Sequence, residues 1–316
     1  MEIIRDMRAV KEGQRERCIA LGTFDGMHLG HQAVINKLLE KARKFNLKSA
    51  VFTFSSHPLE RVKGKIAPPL LNTTSEKVDL IRKIGIDELF LLDFNDEFAT
   101  LSPDEFVEQY LLKKLQAKQI IVGFNFTFGK ERKGTVELLK QLGEVHNFQV
   151  EIVPPFNLQE QVVSSTRIRR LIGKGEVELA SHLLGYPYFL EGQVVHGHKK
   201  GREIGYPTAN VDFNLQKVIP ASGVYAVSVK WKGMVYGGVA NLGYRPTFQG
   251  ENLSLEVHIF DFKGNLYGEQ IQVNFLREIR AERLFNNIDQ LIKQINEDAE
   301  KARVYLANYS FSDFPA

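Results

Sequence analysis

The sequence predicts two folds in one chain: an α/β unit with a parallel sheet covered by helices on both faces, then an antiparallel all-β unit with a terminal helix. Three observations predict this. Strand-like and helix-like segments alternate over the first 150 residues, the pattern of a parallel sheet with crossover helices. Past Ser164 the pattern changes to short strands separated by tight turns. The length, 316 residues, favours two domains at roughly 150 residues each.

Residues 18–24 form an apolar strand that turns at Gly22-Thr23-Phe24-Asp25-Gly26. From 30 to 45, Val34, Leu38, Ala42 and Phe45 recur at helical spacing with Lys37, Lys41 and Lys44 between them, so an amphipathic helix follows. Further strands are expected at 50–54, 88–93, 119–122 and 148–153. A helix should begin with Ser102 as N-cap, Pro103 in the first position and Glu105 reaching back to close a capping box. Two short helices, 166–172 and 177–184, end at Gly185-Tyr186-Pro187. Strands are then expected at 188–196, 224–231, 234–240, 253–261 and 270–276, with Lys232-Gly233 and Lys263-Gly264-Asn265 as turn chemistry. A helix at 289–307 carries Leu291, Ile295 and Ala299 on one face. The expected domains are 1–186 and 187–316.

Composition narrows the function classes. Hydrophobic residues make up 43% and charged residues 25% of the chain, ordinary for a globular protein with buried cores. The apolar runs are far shorter than a membrane span, and the N-terminus lacks a charged-then-apolar export signal. Cys18 is the only cysteine, so no intrachain disulfide can form, which suits a reducing cytoplasm. The formal charge of +3 is spread along the chain. A nucleic-acid binder usually carries a denser basic footprint, so the expected partners are anionic small molecules, not nucleic acid or membrane, for a monomer or weak homo-oligomer.

The segment Gly22-Thr23-Phe24-Asp25-Gly26-Met27-His28-Leu29-Gly30-His31 leaves a strand and opens a helix. Free N–H groups and the positive dipole end at a helix start favour phosphate. Glycines at 22, 26 and 30 would let the backbone approach a nucleotide closely. His28 and His31 are three apart and face the same way on a first helical turn, where two imidazoles can donate to phosphates as charge builds. The alternatives are a His-x-x-His metal site, with no third ligand at suitable spacing nearby, or two unrelated surface histidines. Val163-Ser164-Ser165-Thr166-Arg167-Ile168-Arg169 opens another helix with hydroxyls at its start. Cations one turn in oppose the dipole, although Ser and Thr at a helix start are also ordinary caps.

These two segments together resemble the nucleotidyltransferase signature, and the rest of the chain is similar to the bacterial bifunctional riboflavin kinase/FMN adenylyltransferase family. The supporting segments are Thr53-Phe54-Ser55-Ser56-His57-Pro58 and Val122-Gly123-Phe124-Asn125-Phe126-Thr127-Phe128-Gly129. The resemblance implies a Rossmann-like nucleotidyltransferase domain that moves AMP from ATP onto FMN, giving FAD and pyrophosphate. ATP would meet Gly22, Phe24, Asp25, Gly26, His28 and His31, with Ser164, Ser165, Thr166 and Arg169 at its β/γ end. His57, Pro58 and Asn125 would lie on the flavin side; family members often carry Asp where Asn125 stands. Phe54, Phe126 and Phe128 are stacking candidates or core residues. Lys130, Arg132 and Lys133 would meet an FMN phosphate or form a solvated loop.

In the second half, Gly197-His198-Lys199-Lys200-Gly201-Arg202-Glu203-Ile204-Gly205 spaces glycines and cations as a phosphate-covering loop would. In Pro207-Thr208-Ala209-Asn210, Thr208 and Asn210 are two apart, on one side of an extended segment, with hard oxygens suited to Mg²⁺. Alternation sets Glu256 and His258 opposite Leu255 and Val257, where Glu256 is a proton acceptor or an exposed strand residue. With Gly223-Val224-Tyr225 and Asn241-Leu242-Gly243-Tyr244-Arg245-Pro246-Thr247-Phe248, these motifs resemble a riboflavin kinase domain, which implies a small antiparallel β-barrel. The resemblance implies ATP binding by Gly197, Lys199, Gly201, Gly205, Thr208 and Asn210, Mg²⁺ held by Thr208 and Asn210, and Glu256 as catalytic base. Arg280, Arg283 and Phe285 would border the flavin. Riboflavin, FMN, FAD and ATP are the implied small-molecule partners. A non-catalytic flavin-binding barrel and an RNA-binding protein are the competing readings.

Overall fold

In the computed structural model, which describes residues 1–10, 15–56, 66–158, 160–197, 205–247 and 250–309, the first unit (Met1–Ser165) is built on a parallel sheet. Its strands are β1 (Glu2–Ile4), β2 (Arg17–Leu21), β3 (Lys48–Phe54), β4 (Glu88–Leu92), β5 (Ala117–Gly123) and β6 (Gln149–Val153). They lie in the order β1-β4-β3-β2-β5-β6, and every pairing is parallel. All residues of β2 and β4 are buried, because helices cover both faces of such a sheet and leave no polar side to alternate. The chain winds outward from β2 through β3 and β4, then crosses to β5 on the other flank. That reversal opens a crevice beyond the carboxyl end of β2, where ligands of this architecture bind.

Helix α1 (Leu29–Phe45) buries Val34, Ile35, Leu38 and Ala42 and stops at Asn46 in the left-handed conformation. Helix α2 (Thr74–Ile84) is closed by a reciprocal Thr73–Glu76 cap. After α3 (Asp96–Thr100), α4 (Pro103–Glu105) starts with the expected Ser102–Glu105 box. The helix then widens into a π-helix over Phe106–Lys114, and the Leu115 N–H reaches the Tyr110 carbonyl at 2.9 Å. Side-chain periodicity does not encode that change. Helix α5 (Val136–His146) and a hairpin of β7 (Asn157–Leu158) and β8 (Gln161–Val162) complete the unit. Phe128 lies in the core, with Phe54 and Phe126 packed against it, so these rings are core residues first.

At the amino ends of the strands, Arg17 meets Glu88 through Nε at 2.6 Å and Nη2 at 3.3 Å. Both side chains are buried, and Arg17 also donates to the Leu115 carbonyl at 3.2 Å. The pair ties β2, β4 and the start of β5 together.

The second unit (Thr166–Ala316) contains all of α6 (Ser165–Gly173) except its first residue, then α7 (Val177–Leu184) and a closed antiparallel barrel. The barrel strands are β9 (Phe189–Val195), β10 (Ala209–Phe213), β11 (Gly223–Trp231), β12 (Met234–Thr247), β13 (Gly250–Ile259) and β14 (Gln270–Ala281). Their order is β10-β13-β12-β11-β14-β9, and β9 pairs back onto β10. Helix α8 (Ile288–Ala307) buries Ala299 and Ala302 against β11 and β12. The compact division falls at 165/166, earlier than the expected 186/187, because α7 packs on β14 and the Tyr305 hydroxyl meets Glu178 at 3.3 Å. Strand β1 was not expected, and β12 runs past residue 240 to Thr247.

Removing Glu88 strands a buried guanidinium. The Glu88→Ala variant should lose about 3–5 kcal/mol of stability in the first unit, read from its denaturant unfolding curve.

Candidate active sites

The turn beyond β2 is bent by three residues with positive φ: Phe24 (49°), Gly26 (87°) and Met27 (37°). A left-handed Phe or Met costs roughly 1–2 kcal/mol, and burial of both side chains to 1% exposure offsets it. Sequence alone suggested that Gly22 and Gly30 admit a nucleotide. A Cβ at Gly22 would lie 3.0 Å from the Phe24 ring, and one at Gly30 would lie 3.2 Å from the His28 ring. These glycines make room for the turn's own side chains.

His28 is the N-cap of α1, its Nδ1 accepting from the His31 N–H at 3.3 Å. That bond assigns the His28 proton to Nε2. The two rings stack with centroids 3.6 Å apart and 17° between planes, and Phe24 abuts His31 edge-on at 5.4 Å. His31 Nδ1 is buried without a hydrogen-bond partner among the described residues. Burial, then the neighbouring His28 and Lys77, hold the His31 pKa well below 6.5, so His31 is neutral at pH 7.

The turn is anchored from below. Asp25 is buried, and its Oδ1 accepts from the N–H groups of Leu71 at 3.1 Å and Asn72 at 3.3 Å. Ser165 Oγ donates to the Asp25 carbonyl at 2.9 Å. The Thr23 carbonyl accepts from Thr53 Oγ1 at 3.1 Å and from Lys77 Nζ at 3.0 Å. The structure thus gathers Gly22, Phe24, Asp25, Gly26, His28, His31 and Ser165. Exposed Asn125 follows β5 at the same sheet edge. Ser164 is half-buried ahead of α6, Thr166 and Arg169 belong to the second unit, and His57 and Pro58 lie outside the described residues. Lys130, Arg132 and Lys133 are exposed, with Lys133 paired to Glu131 at 3.1 Å. Lys77 was not foreseen, and Thr53 was named only as part of a motif, with no role of its own. The one available signal was a cation in the first turns of a capped helix, where the dipole disfavours it.

In the barrel, Asn210 pairs in register with Glu256 of β13, and Glu256 pairs on its other side with Asn241 of β12. Thr208 Oγ1 donates to Glu256 Oε2 at 3.3 Å. A Cβ at Gly197 would lie 2.3 Å from Asn210 Nδ2, so the glycine is required by the Asn210 side chain. His258 Nδ1 donates to the Pro207 carbonyl at 2.9 Å, fixing the segment that carries Thr208. Gly205 has a φ of 84°, and Lys199 and Gly201 lie outside the described residues. Arg280, Arg283 and Phe285 come together with α8. Arg280 Nε binds Asp298 at 2.9 Å, Arg283 bonds Gln294, and both guanidinium groups lie over the Phe285 ring, at 5.5 and 4.8 Å.

Residues 10–167 match the family model for FAD synthetase and residues 184–306 match that for riboflavin kinase. The bifunctional riboflavin kinase/FMN adenylyltransferase of Bacillus subtilis (strain 168) is 42% identical over 306 residues, covering 95% of both chains. This chain belongs to the bifunctional riboflavin kinase/FMN adenylyltransferase family. The Escherichia coli (strain K12) member is 38% identical, covering 96% of this chain and 98% of that one. A solved structure described as a macrolide-efflux protein from Streptococcus pneumoniae has 37% identity and a TM-score of 0.86, covering 98% of this chain and 99% of that one. Among the described residues no helix is long and apolar enough to cross a membrane. The family's two reactions use ATP: phosphorylation of riboflavin to FMN, and adenylyl transfer to FMN giving FAD and pyrophosphate.

His31 makes the first unit acid-sensitive. Its folded pKa lies below the unfolded value of about 6.5, so the unfolded chain binds the extra proton. The associated stability is complete above about pH 6.5 and declines as pH falls toward the folded pKa. Thermal midpoints between about pH 7 and 5 should fall more for the unmodified protein than for His31→Asn.

Proposed function

We propose that adenylyl transfer is carried out at the β2–α1 turn and phosphoryl transfer at the Thr208–Glu256 cluster of the barrel. The stacked imidazole pair at the start of α1 carries the first assignment. An FMN phosphate oxygen attacks the α-phosphorus of ATP in line, a new P–O bond forms, and the bond to the β-phosphate oxygen breaks to release pyrophosphate. The attacking phosphate is already ionised, so the chain has no proton to remove. Its task is to place the two phosphates and to meet the charge that develops. His28, through Nε2, and neutral His31 donate to the phosphate oxygens, joined by the N–H groups at the turn and helix start. Gly22, Phe24, Asp25 and Gly26 shape that cradle, and Ser164, Ser165, Thr166 and Arg169 hold the departing β/γ end. His57, Pro58 and Asn125 serve the flavin side. On this reading the adenylyltransferase function draws on residues 1–186, including the start of α6, and the kinase function on 187–316.

In the barrel, the riboflavin 5′-hydroxyl attacks the γ-phosphorus of ATP and gives its proton to Glu256, while ADP leaves. The register sets Glu256 between two amide-bearing strands, and the Thr208 bond orients its carboxylate. The oxygen-only donor set of Thr208 and Asn210 beside a carboxylate fits Mg²⁺, and these two residues would hold it. When bound, the ion neutralises charge on the transferring phosphates. Gly197, Lys199, Gly201 and Gly205 cover the ATP phosphates, and Arg280, Arg283 and Phe285 border the flavin. The single, buried Cys18 supports a cytoplasmic enzyme, which we place as a monomer or weak homo-oligomer acting without nucleic acid.

One assay tests both assignments: purified protein with riboflavin, ATP and Mg²⁺, resolving FMN and FAD over time. The Glu256→Gln and Thr208→Ala variants should lose FMN synthesis by about 100-fold or more and still make FAD from supplied FMN. The His28→Ala/His31→Ala variant should stop at FMN. Normal FAD output from that double variant would remove the histidines from the site. The Gly197→Ala variant displaces Asn210, so it should slow riboflavin phosphorylation by about tenfold without changing adenylyl transfer.

A further inference from the structure

Lys77 is a buried lysine with no role in either reaction as described so far. Its residue is 7% exposed, an expensive place for an ammonium group. Burial lowers its pKa, and the nearby Asp25 carboxylate opposes the fall. Its Nζ donates to the Thr23 carbonyl at 3.0 Å and to the Phe54 carbonyl at 3.1 Å. Those two carbonyls belong to different chain segments, the turn after β2 and the carboxyl end of β3.

The Thr23 carbonyl carries two donors, since Thr53 Oγ1 meets it at 3.1 Å. A peptide unit is planar and trans, so its C=O and N–H point in opposite directions. Fixing the Thr23 oxygen on the interior side therefore fixes the direction of the Phe24 N–H, at the residue whose strained φ begins the turn. Phe24 in turn abuts His31, and His31 stacks on His28. A chain of contacts thus runs from the Lys77 ammonium through one peptide plane to both imidazoles.

We propose that Lys77 is a positioning residue for adenylyl transfer, clamping the Thr23–Phe24 peptide so that the turn is set before ATP arrives. The assignment rests on the β2–α1 turn being the adenylyl-transfer site. A lysine that only filled space would be replaceable by methionine, which has similar volume and no charge to bury. A clamp would not be, because methionine leaves the Thr23 carbonyl with Thr53 alone.

The test is Lys77→Met in the full-length protein, with both reactions and thermal unfolding measured on the same preparation. FAD synthesis from supplied FMN should fall in kcat by about 30- to 100-fold, the scale of a small misplacement at a reacting centre. The KM for FMN and the rate of riboflavin phosphorylation should stay within about twofold. A kcat for FAD synthesis within about threefold of the parent overturns the proposal, as does an equal loss in both reactions. If Lys77→Met does not fold, Thr53→Val decides, because it removes the other donor to the same carbonyl and alters no charge. It should lower kcat several-fold at an unchanged unfolding midpoint; an unchanged kcat overturns the proposal. The outcomes separate cleanly from the site assignment: if His28→Ala/His31→Ala still makes FAD, the turn is not the site, whereas a silent Lys77→Met beside an inactive double-histidine variant rejects the clamp alone.

Discussion

The close stacking of His28 on His31 is the constraint around which the first unit is arranged. Two rings 3.6 Å apart repel if both carry charge, so the arrangement needs at least one of them neutral. Burial supplies that at His31, while His28 commits one ring nitrogen to the helix cap. A neutral imidazole remains a good hydrogen-bond donor, and the positive end of α1 adds attraction for phosphate that no side-chain proton has to supply. The glycines at 22 and 30, the left-handed Phe24 and Met27, and the Asp25 anchor all keep those rings in place.

The barrel solves a different problem by a different route. Its reactive hydroxyl carries a proton that must leave, so the key group is a carboxylate, placed by strand register with no helix terminus involved. Pairing alone sets Glu256 beside Asn210 and Asn241, and a slip by one residue on β13 would turn the carboxylate to the other face. Strand pairing is shared over many backbone bonds, which makes the placement of Glu256 hard to disturb through any single side chain.

Much of this was legible in the sequence, for identifiable reasons. The α1 periodicity of Val34, Leu38 and Ala42 and the Ser102–Glu105 cap are local signals, and both are observed. The His28/His31 pair was readable from its three-residue spacing at a helix start, but the structure sets His28 at the N-cap in extended backbone, not on the first helical turn. The π-helical turn was invisible, since it changes backbone bonding without changing which residues are apolar. Strand β1 is only three residues long and pairs with β4, more than eighty positions away in the chain, so no local pattern marks it. Lys77 escaped for a similar reason: its partners come from the β2 turn and from β3, and only the folded sheet brings those ends together.

Closure of the barrel has a consequence for how this protein meets its own copies during synthesis. With β9 hydrogen-bonded to both β10 and β14, the described strands of the second unit offer no outer rim to a stray extended peptide. The open sheet of the first unit ends in β1 on one flank and β6 on the other. Among the described strands, open edges therefore lie in the first unit, where β1 presents three residues of backbone, β6 five and each strand of the β7–β8 hairpin two, a hazard kept small by brevity.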